Sequence, residues 1–211
     1  MIFDCDGVLV DSEKLSCGAW LPVLARRGIH VELAEIERFI GKSDRAVLEH
    51  INQAYAAGLD ETVIAEREEQ YIASARGRLR AFPGLHEALR QLQRRGAPLA
   101  VASSGRPTKI RFALDEVAIA SFFPVVCSVS EVARGKPAPD LFLLAATRLG
   151  LPPESCAVIE DSVFGVQAAR AAGMAPIGFT SSTTAAALHE AGAVQVFGDY
   201  SELLAVLDGC W

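Results

Sequence analysis

The sequence of 211 residues has no apolar run long enough to cross a bilayer, although 51% of its residues are hydrophobic. A spanning helix needs about 20 consecutive apolar residues, and charged residues interrupt the apolar stretches here. No internal repeat or low-complexity linker is visible either. The sequence therefore predicts a substantial buried core, arranged as one large domain or two modest ones.

Positive charge is in deficit, with 20 Lys and Arg against 26 Asp and Glu and a formal net charge of −6. This balance argues against a broad surface for nucleic acid or anionic membranes. A phosphate-bearing partner would have to be recognised at a small basic or metal-containing pocket. We expect a small-molecule partner, no nucleic-acid or membrane partner, and a monomer or weak homodimer.

Cysteine-pairing motifs are also absent. The 5 cysteines include no Cys-x-x-Cys motif, and their number is odd. Cys5, Cys127 and Cys156 lie in or beside apolar strand-like runs, where a thiol usually acts as a small core residue. No signal-peptide pattern precedes Asp4. We therefore expect reduced cysteines and a cytoplasmic location.

The hydrophobic periodicity predicts an α/β architecture. From Phe82 onward, short β-like runs alternate with helical segments of about ten residues, which predicts βαβ units and a parallel sheet covered on both faces. The first strand belongs to this sheet by pattern. We predict an α/β core formed by residues 1–12 and 81–211, with residues 13–80 inserted as a separate domain.

The inserted segment shows no convincing strand and is rich in Ala, Glu, Arg and Leu, which are good helix formers. Its first apolar stripe, from Leu15 to Leu24, follows a helical period and ends at Gly28. Ser12 is the expected N-cap of that helix. The sequence predicts an all-helical insert.

Two acidic residues follow the first predicted strand with one residue between them. Alternate residues of a strand point to the same face, so Asp4 and Asp6 are expected to project together while Cys5 points away. The carboxyl ends of parallel strands form the binding crevice of open α/β sheets. Such a pair can hold a divalent cation or divide nucleophilic and proton-transfer roles. The alternative is a polar turn, for which Asp and Gly are ordinary residues.

Two later loops carry groups suited to phosphate. One predicted strand ends in Ser103, Ser104 and Gly105, which offer a hydroxyl and backbone N–H groups. Taken alone, this run is explained more simply as an N-cap before the helix that begins at Pro107. Lys136 stands between a glycine and two prolines, a context that predicts a cation held on a rigid loop.

A second acidic pair, Glu160 and Asp161, ends another predicted strand. Two acidic pairs at one edge of a sheet repel each other unless a cation lies between them. All-oxygen ligands favour Mg²⁺ over zinc, and no His/Cys cluster competes with them. The residues therefore predict a magnesium site.

In chain order, the motifs DCDGVLVDS, VASSG, GKPAPD and VIEDS resemble those of the haloacid dehalogenase (HAD) superfamily of phosphotransferases, and the resemblance covers the whole chain. The chain is most similar to the branch that includes β-phosphoglucomutase and many sugar-phosphate phosphatases. The resemblance implies a Rossmann-like core with a helical cap inserted after the first strand. It also implies a Mg²⁺-dependent phosphatase that hydrolyses a sugar phosphate or sugar-acid phosphate through an aspartyl-phosphate.

The resemblance further implies roles for individual residues. Asp4 would be the nucleophile, and Asp6 would protonate the leaving oxygen and then take a proton from water. The transferring phosphoryl group would be held by Ser103, Ser104, Gly105 and Lys136. The metal would be held by Asp4, Asp6, Glu160 and Asp161.

Several alternatives stay open within and beyond the family. Relatives with mutase activity usually carry a histidine a few residues before a tryptophan, but Ser16 stands at that position before Trp20, which favours hydrolysis. Phosphoglycolate phosphatase is a further alternative, whereas dehalogenation is disfavoured because Asp6 is present. A response-regulator-like phospho-acceptor and a catalytically silent relative are minor readings.

The resemblance places substrate selection in the inserted domain. The loop that contains Gly41, Lys42 and Arg45 lies where relatives contact their substrates, so these residues are candidate substrate ligands. An equally simple reading is that this stretch only begins a helix.

Overall fold

The computed structural model describes residues 1–40 and 43–208. Its contacts divide the chain into two compact units. The first unit, called here the sheet unit, joins Met1–Asp11 to the chain from Arg80 onward. The second, called the helical unit, is Ser12–Leu79.

The described part of the sheet unit is built on 6 strands whose pairings are all parallel. The strands are β1 (Ile2–Phe3), β2 (Ala100–Ser103), β3 (Val125–Ser128), β4 (Ala157–Glu160), β5 (Ala175–Phe179) and β6 (Gln195–Phe197). Their order is β3-β2-β1-β4-β5-β6. The predicted α/β fold class with a parallel sheet is therefore confirmed.

Helices that alternate with these strands complete the unit. These helices are α6 (Leu85–Arg94), α7 (Pro107–Glu116), α8 (Asp140–Leu149), α9 (Val163–Ala171), α10 (Ala185–Ala191) and α11 (Leu203–Asp208). Helices α1 to α5 belong to the helical unit and are described below. Every residue of β1, β2 and β4 is buried, which explains why these strands read as continuous apolar runs.

The two-residue strand β1 is central to the sheet. Ile2 lies opposite Ala100 of β2 on one side and opposite Val158 of β4 on the other. The ends of three strands are thereby brought together at one edge of the sheet. This arrangement positions the loop that begins at Asp4.

The helical unit contains α1 (Glu13–Gly18), α2 (Trp20–Ala25), α3 (Leu33–Glu37), α4 (Asp44–Tyr55) and α5 (Thr62–Ala75). Trp20, Val23 and Ile51 are among the side chains of its own buried core. The helix expected from Ser12 divides at Ala19, because Pro22 has no N–H to donate to the Gly18 carbonyl. Ser12 occupies the N-cap position but makes no side-chain capping bond.

No helix within residues 1–40 and 43–208 combines the length and the apolar character that crossing a membrane requires.

The loop after β1 is anchored from the far end of the chain. The hydroxyl of Tyr200, a buried residue between β6 and α11, donates to the carbonyl oxygen of Val8 at 2.9 Å. The Tyr200 ring packs against Phe179 and Phe197, with centroid distances of 5.0 and 5.4 Å. Burial, followed by the charges of nearby carboxylates, raises the pKa of Tyr200 well above its usual range, so the hydroxyl stays a donor.

We expect Tyr200→Phe to lower the free energy of unfolding by about 1–3 kcal/mol, because it removes the donor from a buried carbonyl and leaves the ring in place. Urea unfolding measures the effect. Tyr55→Phe is the control, since that hydroxyl bonds Glu35 at the surface and its loss should cost less than about 0.5 kcal/mol. Equal losses in the two variants would contradict the anchoring role.

Candidate active site

Side chains from three strand ends converge at the carboxyl edge of the sheet. Asp4 follows β1, Ser103 is the last residue of β2, and Glu160 is the last residue of β4. All three are buried. The structure thus brings together residues that lie far apart in the sequence.

Lys136 connects these strand ends. Its Nζ donates to Asp4 Oδ1 at 2.6 Å, to Glu160 Oε1 at 2.5 Å and to the Ala102 carbonyl at 3.3 Å. It also lies 5.0 Å from the centroid of the Phe142 ring. The ammonium group is therefore fixed between two buried carboxylates, as expected for a placed cation.

Opposing effects set the charge states of this group of residues. Burial raises the pKa of Asp4 from 3.8 to about 7; Lys136 opposes that rise, and the Glu160 carboxylate adds to it. Burial alone would lower the pKa of Lys136, but the two carboxylates outweigh burial and raise it above its ordinary value. Lys136 is therefore charged at neutral pH, whereas Asp4 needs further positive charge to be fully ionised.

The Glu160 carboxylate accepts hydrogen bonds from Lys136 and Ser162. Besides Lys136, its carboxylate accepts from the Ser162 backbone N–H at 3.1 Å and from the Ser162 hydroxyl at 2.9 Å. A Cβ at Gly165 would lie 1.9 Å from the Glu160 carboxyl carbon, so only glycine fits in this first turn of α9. These contacts favour a role for Glu160 in holding Lys136 over direct metal binding.

Asp6 is paired with a lysine that the sequence analysis did not single out. Lys109 Nζ donates to Asp6 Oδ2 at 2.8 Å, from the first turn of α7. A lysine in the helix that follows the Ser103 loop was the available signal, but the helical pattern alone does not show which face it occupies.

Asp161 is held by two serines that the sequence analysis also missed. Its Oδ2 accepts from the Ser182 hydroxyl at 2.5 Å and from the Ser181 hydroxyl at 3.3 Å. The Ser181 hydroxyl also contacts the Gly7 carbonyl. These serines follow β5, at the same sheet edge as the predicted clusters, and that position could have identified them.

Gly7 allows Asp161 to approach the loop after β1. Its φ is +75°, and a Cβ there would lie 2.1 Å from Asp161 Oδ2. Any other residue would be strained in this left-handed conformation and would also displace the carboxylate. The second acidic cluster is thereby seated directly against the first.

The loop after β2 is closed by serine contacts. The Ser103 Oγ accepts from the Gly105 N–H at 3.1 Å, and the Ser128 hydroxyl donates to the Gly105 carbonyl at 2.7 Å. Ser104 is exposed and Gly105 is half-buried. Ser128, at the end of β3, is a further residue that the sequence analysis missed.

The charges of the cluster fit a divalent cation. Four carboxylates, from Asp4, Asp6, Glu160 and Asp161, are accompanied by the two ammonium groups of Lys109 and Lys136, so negative charge is in excess. Among residues 1–40 and 43–208, no three His, Cys, Asp or Glu side chains form a metal-holding group. A hard cation would therefore draw on backbone oxygen and water as well as side chains, as Mg²⁺ commonly does.

The predicted substrate residues belong to the helical unit. Gly41 and Lys42 lie outside the described residues. Arg45 is exposed and forms an ion pair with Glu61. The Ser43 side chain caps α4 by accepting from the Ala46 N–H at 3.3 Å, as the simpler reading of this stretch requires.

A buried arginine contacts Ser16, the residue at the position of the mutase histidine. Arg67 Nη2 donates to the Ser16 carbonyl at 2.9 Å and also contacts its hydroxyl. Its guanidinium lies 6.0 Å from the Trp20 ring centroid and 3.4 Å from an Asp44 carboxylate oxygen. The Ser16 hydroxyl is therefore already engaged within the helical unit.

Comparisons with known proteins show the family to which the chain belongs. The model of a family of haloacid dehalogenase-like hydrolases matches residues 1–173. Hexitol phosphatase A of Escherichia coli (strain K12) is 37% identical over 176 residues, covering 82% of this chain and 78% of that protein. Fructose-1-phosphate phosphatase YqaB of the same organism is 31% identical over 175 residues, covering 82% of this chain and 92% of that protein.

A longer relative and a solved structure extend the comparison. Protein SUPPRESSOR OF QUENCHING 1, chloroplastic, of Arabidopsis thaliana is 32% identical over 210 residues, which is 96% of this chain but 20% of that protein. The chain thus spans about a fifth of that relative. A HAD family hydrolase of Deinococcus radiodurans R1, solved with bound phosphate and sodium, has 36% identity and a TM-score of 0.78, covering 99% of this chain and 94% of that chain.

We expect Asp4→Asn to raise thermal stability in the presence of a chelator at pH 8. Because the folded pKa of Asp4 is raised, the folded protein binds a proton that the unfolded chain has lost, and stability falls as pH rises from 3.8 towards 7. Asparagine avoids this cost. The gain should be of order 1–4 kcal/mol, at about 2–4 °C of Tm per kcal/mol.

Thermal scans at pH 8 and pH 5 test this expectation, because the advantage of Asp4→Asn should shrink at pH 5, where the wild-type carboxyl is mostly protonated. Asp115→Asn, at an exposed position on α7, is the matched control and should change the Tm little at either pH. A destabilised Asp4→Asn at pH 8 would contradict the raised pKa.

Proposed function

This chain belongs to the haloacid dehalogenase-like hydrolases and is a phosphoric monoester hydrolase, and we propose that it hydrolyses a phosphorylated sugar or sugar acid through a phosphorylated Asp4. The observation that carries the proposal is the Asp4–Lys136–Glu160 cluster at the carboxyl edge of the sheet. It combines a carboxylate nucleophile with a fixed cation at one point.

In the first half-reaction, an Asp4 carboxylate oxygen attacks phosphorus and the bond to the leaving oxygen breaks. Asp6 gives that oxygen a proton and becomes a carboxylate. In the second half-reaction, water attacks the aspartyl-phosphate while Asp6 takes the proton back. The phosphorus–oxygen bond to Asp4 breaks, which releases inorganic phosphate and restores both carboxyl groups.

The transition state of phosphoryl transfer is stabilised mainly by fixed positive charge and hydrogen-bond donors. Lys136 Nζ lies 2.6 Å from Asp4 Oδ1, close enough to neutralise charge on the transferring group as it approaches. The Ser103 hydroxyl, with the loop through Ser104 and Gly105, is the proposed partner of the phosphoryl oxygens. Glu160 keeps Lys136 in place.

The excess of negative charge supports Mg²⁺ as the cofactor. The proposed ligands are the carboxylates of Asp4 and Asp161 and the backbone carbonyl of Asp6, with Glu160 acting indirectly. Bound Mg²⁺ would supply charge neutralisation at the reacting oxygens. Ser181 and Ser182 orient the Asp161 carboxylate towards this role.

Hydrolysis is favoured over a mutase reaction by the helical unit. Ser16 replaces the histidine expected of a mutase, and its hydroxyl is occupied by Arg67. We propose that the helical unit acts as a cap that selects the substrate, with Gly41, Lys42 and Arg45 as candidate ligands. The phosphatase relatives named above support a sugar-derived substrate.

We expect phosphate release from a panel of sugar and sugar-acid phosphates to require Mg²⁺, and Asp4→Asn to lower it by roughly 10⁴-fold or more, the scale of losing a nucleophile. Phosphate assay with Mg²⁺ or with chelator measures both effects. Asp115→Asn should keep wild-type activity. Release that survives both the substitution and the chelator would contradict the aspartyl-phosphate mechanism.

Mg²⁺ binding is expected to raise the Tm of the wild type and to raise that of Asp161→Asn much less, because the substitution removes a proposed ligand. Thermal scans over a Mg²⁺ titration measure this without reference to activity. Equal shifts in the two proteins would place the metal elsewhere.

A further inference from the structure

The pair formed by Lys109 and Asp6 is much less exposed than the ion pairs at the protein surface. Lys109 is 9% exposed, and its Nζ lies 2.8 Å from Asp6 Oδ2 across 103 residues of sequence. Burying a long, charged side chain costs both rotamer entropy and desolvation. A simple surface ion pair would not explain this degree of burial.

The loop that carries Ser103 fixes the path of the Lys109 side chain. The Cβ position at Gly105 would lie 3.4 Å from Lys109 Cδ, so the stem passes directly beside this glycine. The same loop is closed by the Ser103 and Ser128 contacts described above. Lys109 therefore ties Asp6 to the element that carries the proposed phosphoryl-binding hydroxyl.

The two buried lysines divide the carboxylates between them. Lys136 contacts Asp4 and Glu160, whereas Lys109 contacts Asp6. Each of the two carboxylates with a proposed chemical role thus has its own ammonium partner. The Asp6 pair can therefore be altered without removing the contact to Asp4.

We infer that Lys109 is a positioning residue that selects the proton-transferring oxygen of Asp6, an inference that rests on the proposed function. An ammonium group has donors and no acceptor, and the unprotonated oxygen of a carboxyl group is the stronger acceptor, so the contact with Lys109 favours an Oδ2 without the proton. The proton passed to the leaving oxygen is therefore carried on Oδ1. Lys109 also fixes the plane of the carboxylate and so the direction in which that proton is delivered.

The dependence of rate on the leaving group tests this inference. A sugar alkoxide needs a proton as its bond to phosphorus breaks, whereas p-nitrophenolate leaves without one. We expect Lys109→Met to lower kcat/KM for a hexose phosphate at least about tenfold and to change kcat/KM for p-nitrophenyl phosphate much less. Lys109→Arg should recover part of the loss because it keeps a donor.

The quantity to compare is the ratio of kcat/KM for the hexose phosphate to kcat/KM for p-nitrophenyl phosphate. Both values are measured on one preparation, so the ratio does not depend on how much of a variant is folded. Arg111→Met removes an exposed cation from the same helix and should leave the ratio unchanged. Asp6→Asn should lower the ratio more than Lys109→Met does.

The outcomes separate this inference from the proposed function. If Asp6→Asn lowers the ratio but Lys109→Met does not, or if Lys109→Met slows both substrates equally, the role of Lys109 is overturned and that of Asp6 stands. If Asp6→Asn leaves the ratio unchanged, the acid role of Asp6 in the proposed function fails and the inference fails with it.

Discussion

The site depends on one ammonium group shared by two buried carboxylates. Lys136 lies between Asp4 and Glu160 and also bonds a carbonyl of β2, so it joins the ends of three adjacent strands. A buried cation without any anionic partner would be an uncompensated charge in a low-dielectric interior, and Lys136 has two such partners, so Glu160 still pairs it when Asp4 is neutral. The strand order places these ends side by side, and the lysine makes their juxtaposition stable.

The requirement for pairing extends outwards from Lys136. Glu160 is held by Ser162 and needs glycine at position 165, while Asp161 is held by Ser181 and Ser182 and needs glycine at position 7. Each carboxylate thus has a fixed orientation before any ligand arrives. Preorganisation of this kind is what phosphoryl transfer requires, because its transition state is stabilised mainly by placed charges.

The sequence predicted the local elements better than the contacts between them. The strand at Val125–Ser128 and the helix at Asp140–Leu149 fit the predicted alternation of short β-like runs with helices of about ten residues. The contact of Lys109 with Asp6 could not be predicted, since it joins residues 103 positions apart and depends on how α7 is rotated. The repulsion between the acidic pairs, which had suggested a metal, is partly relieved by Lys136, so the remaining excess of negative charge is what supports Mg²⁺.

The helical unit also contains a buried charge that needs partners, the guanidinium of Arg67. Arg67 is buried beside Trp20, and its two Nη atoms contact Ser16 and Asp44. The Ser16 hydroxyl is therefore used to hold a buried cation. A histidine at position 16 would lie next to the Arg67 guanidinium, and the two side chains would repel each other when the histidine is protonated. The Ser16 hydroxyl is therefore a partner of Arg67 within the helical unit, which supports the proposal of hydrolysis over a mutase reaction.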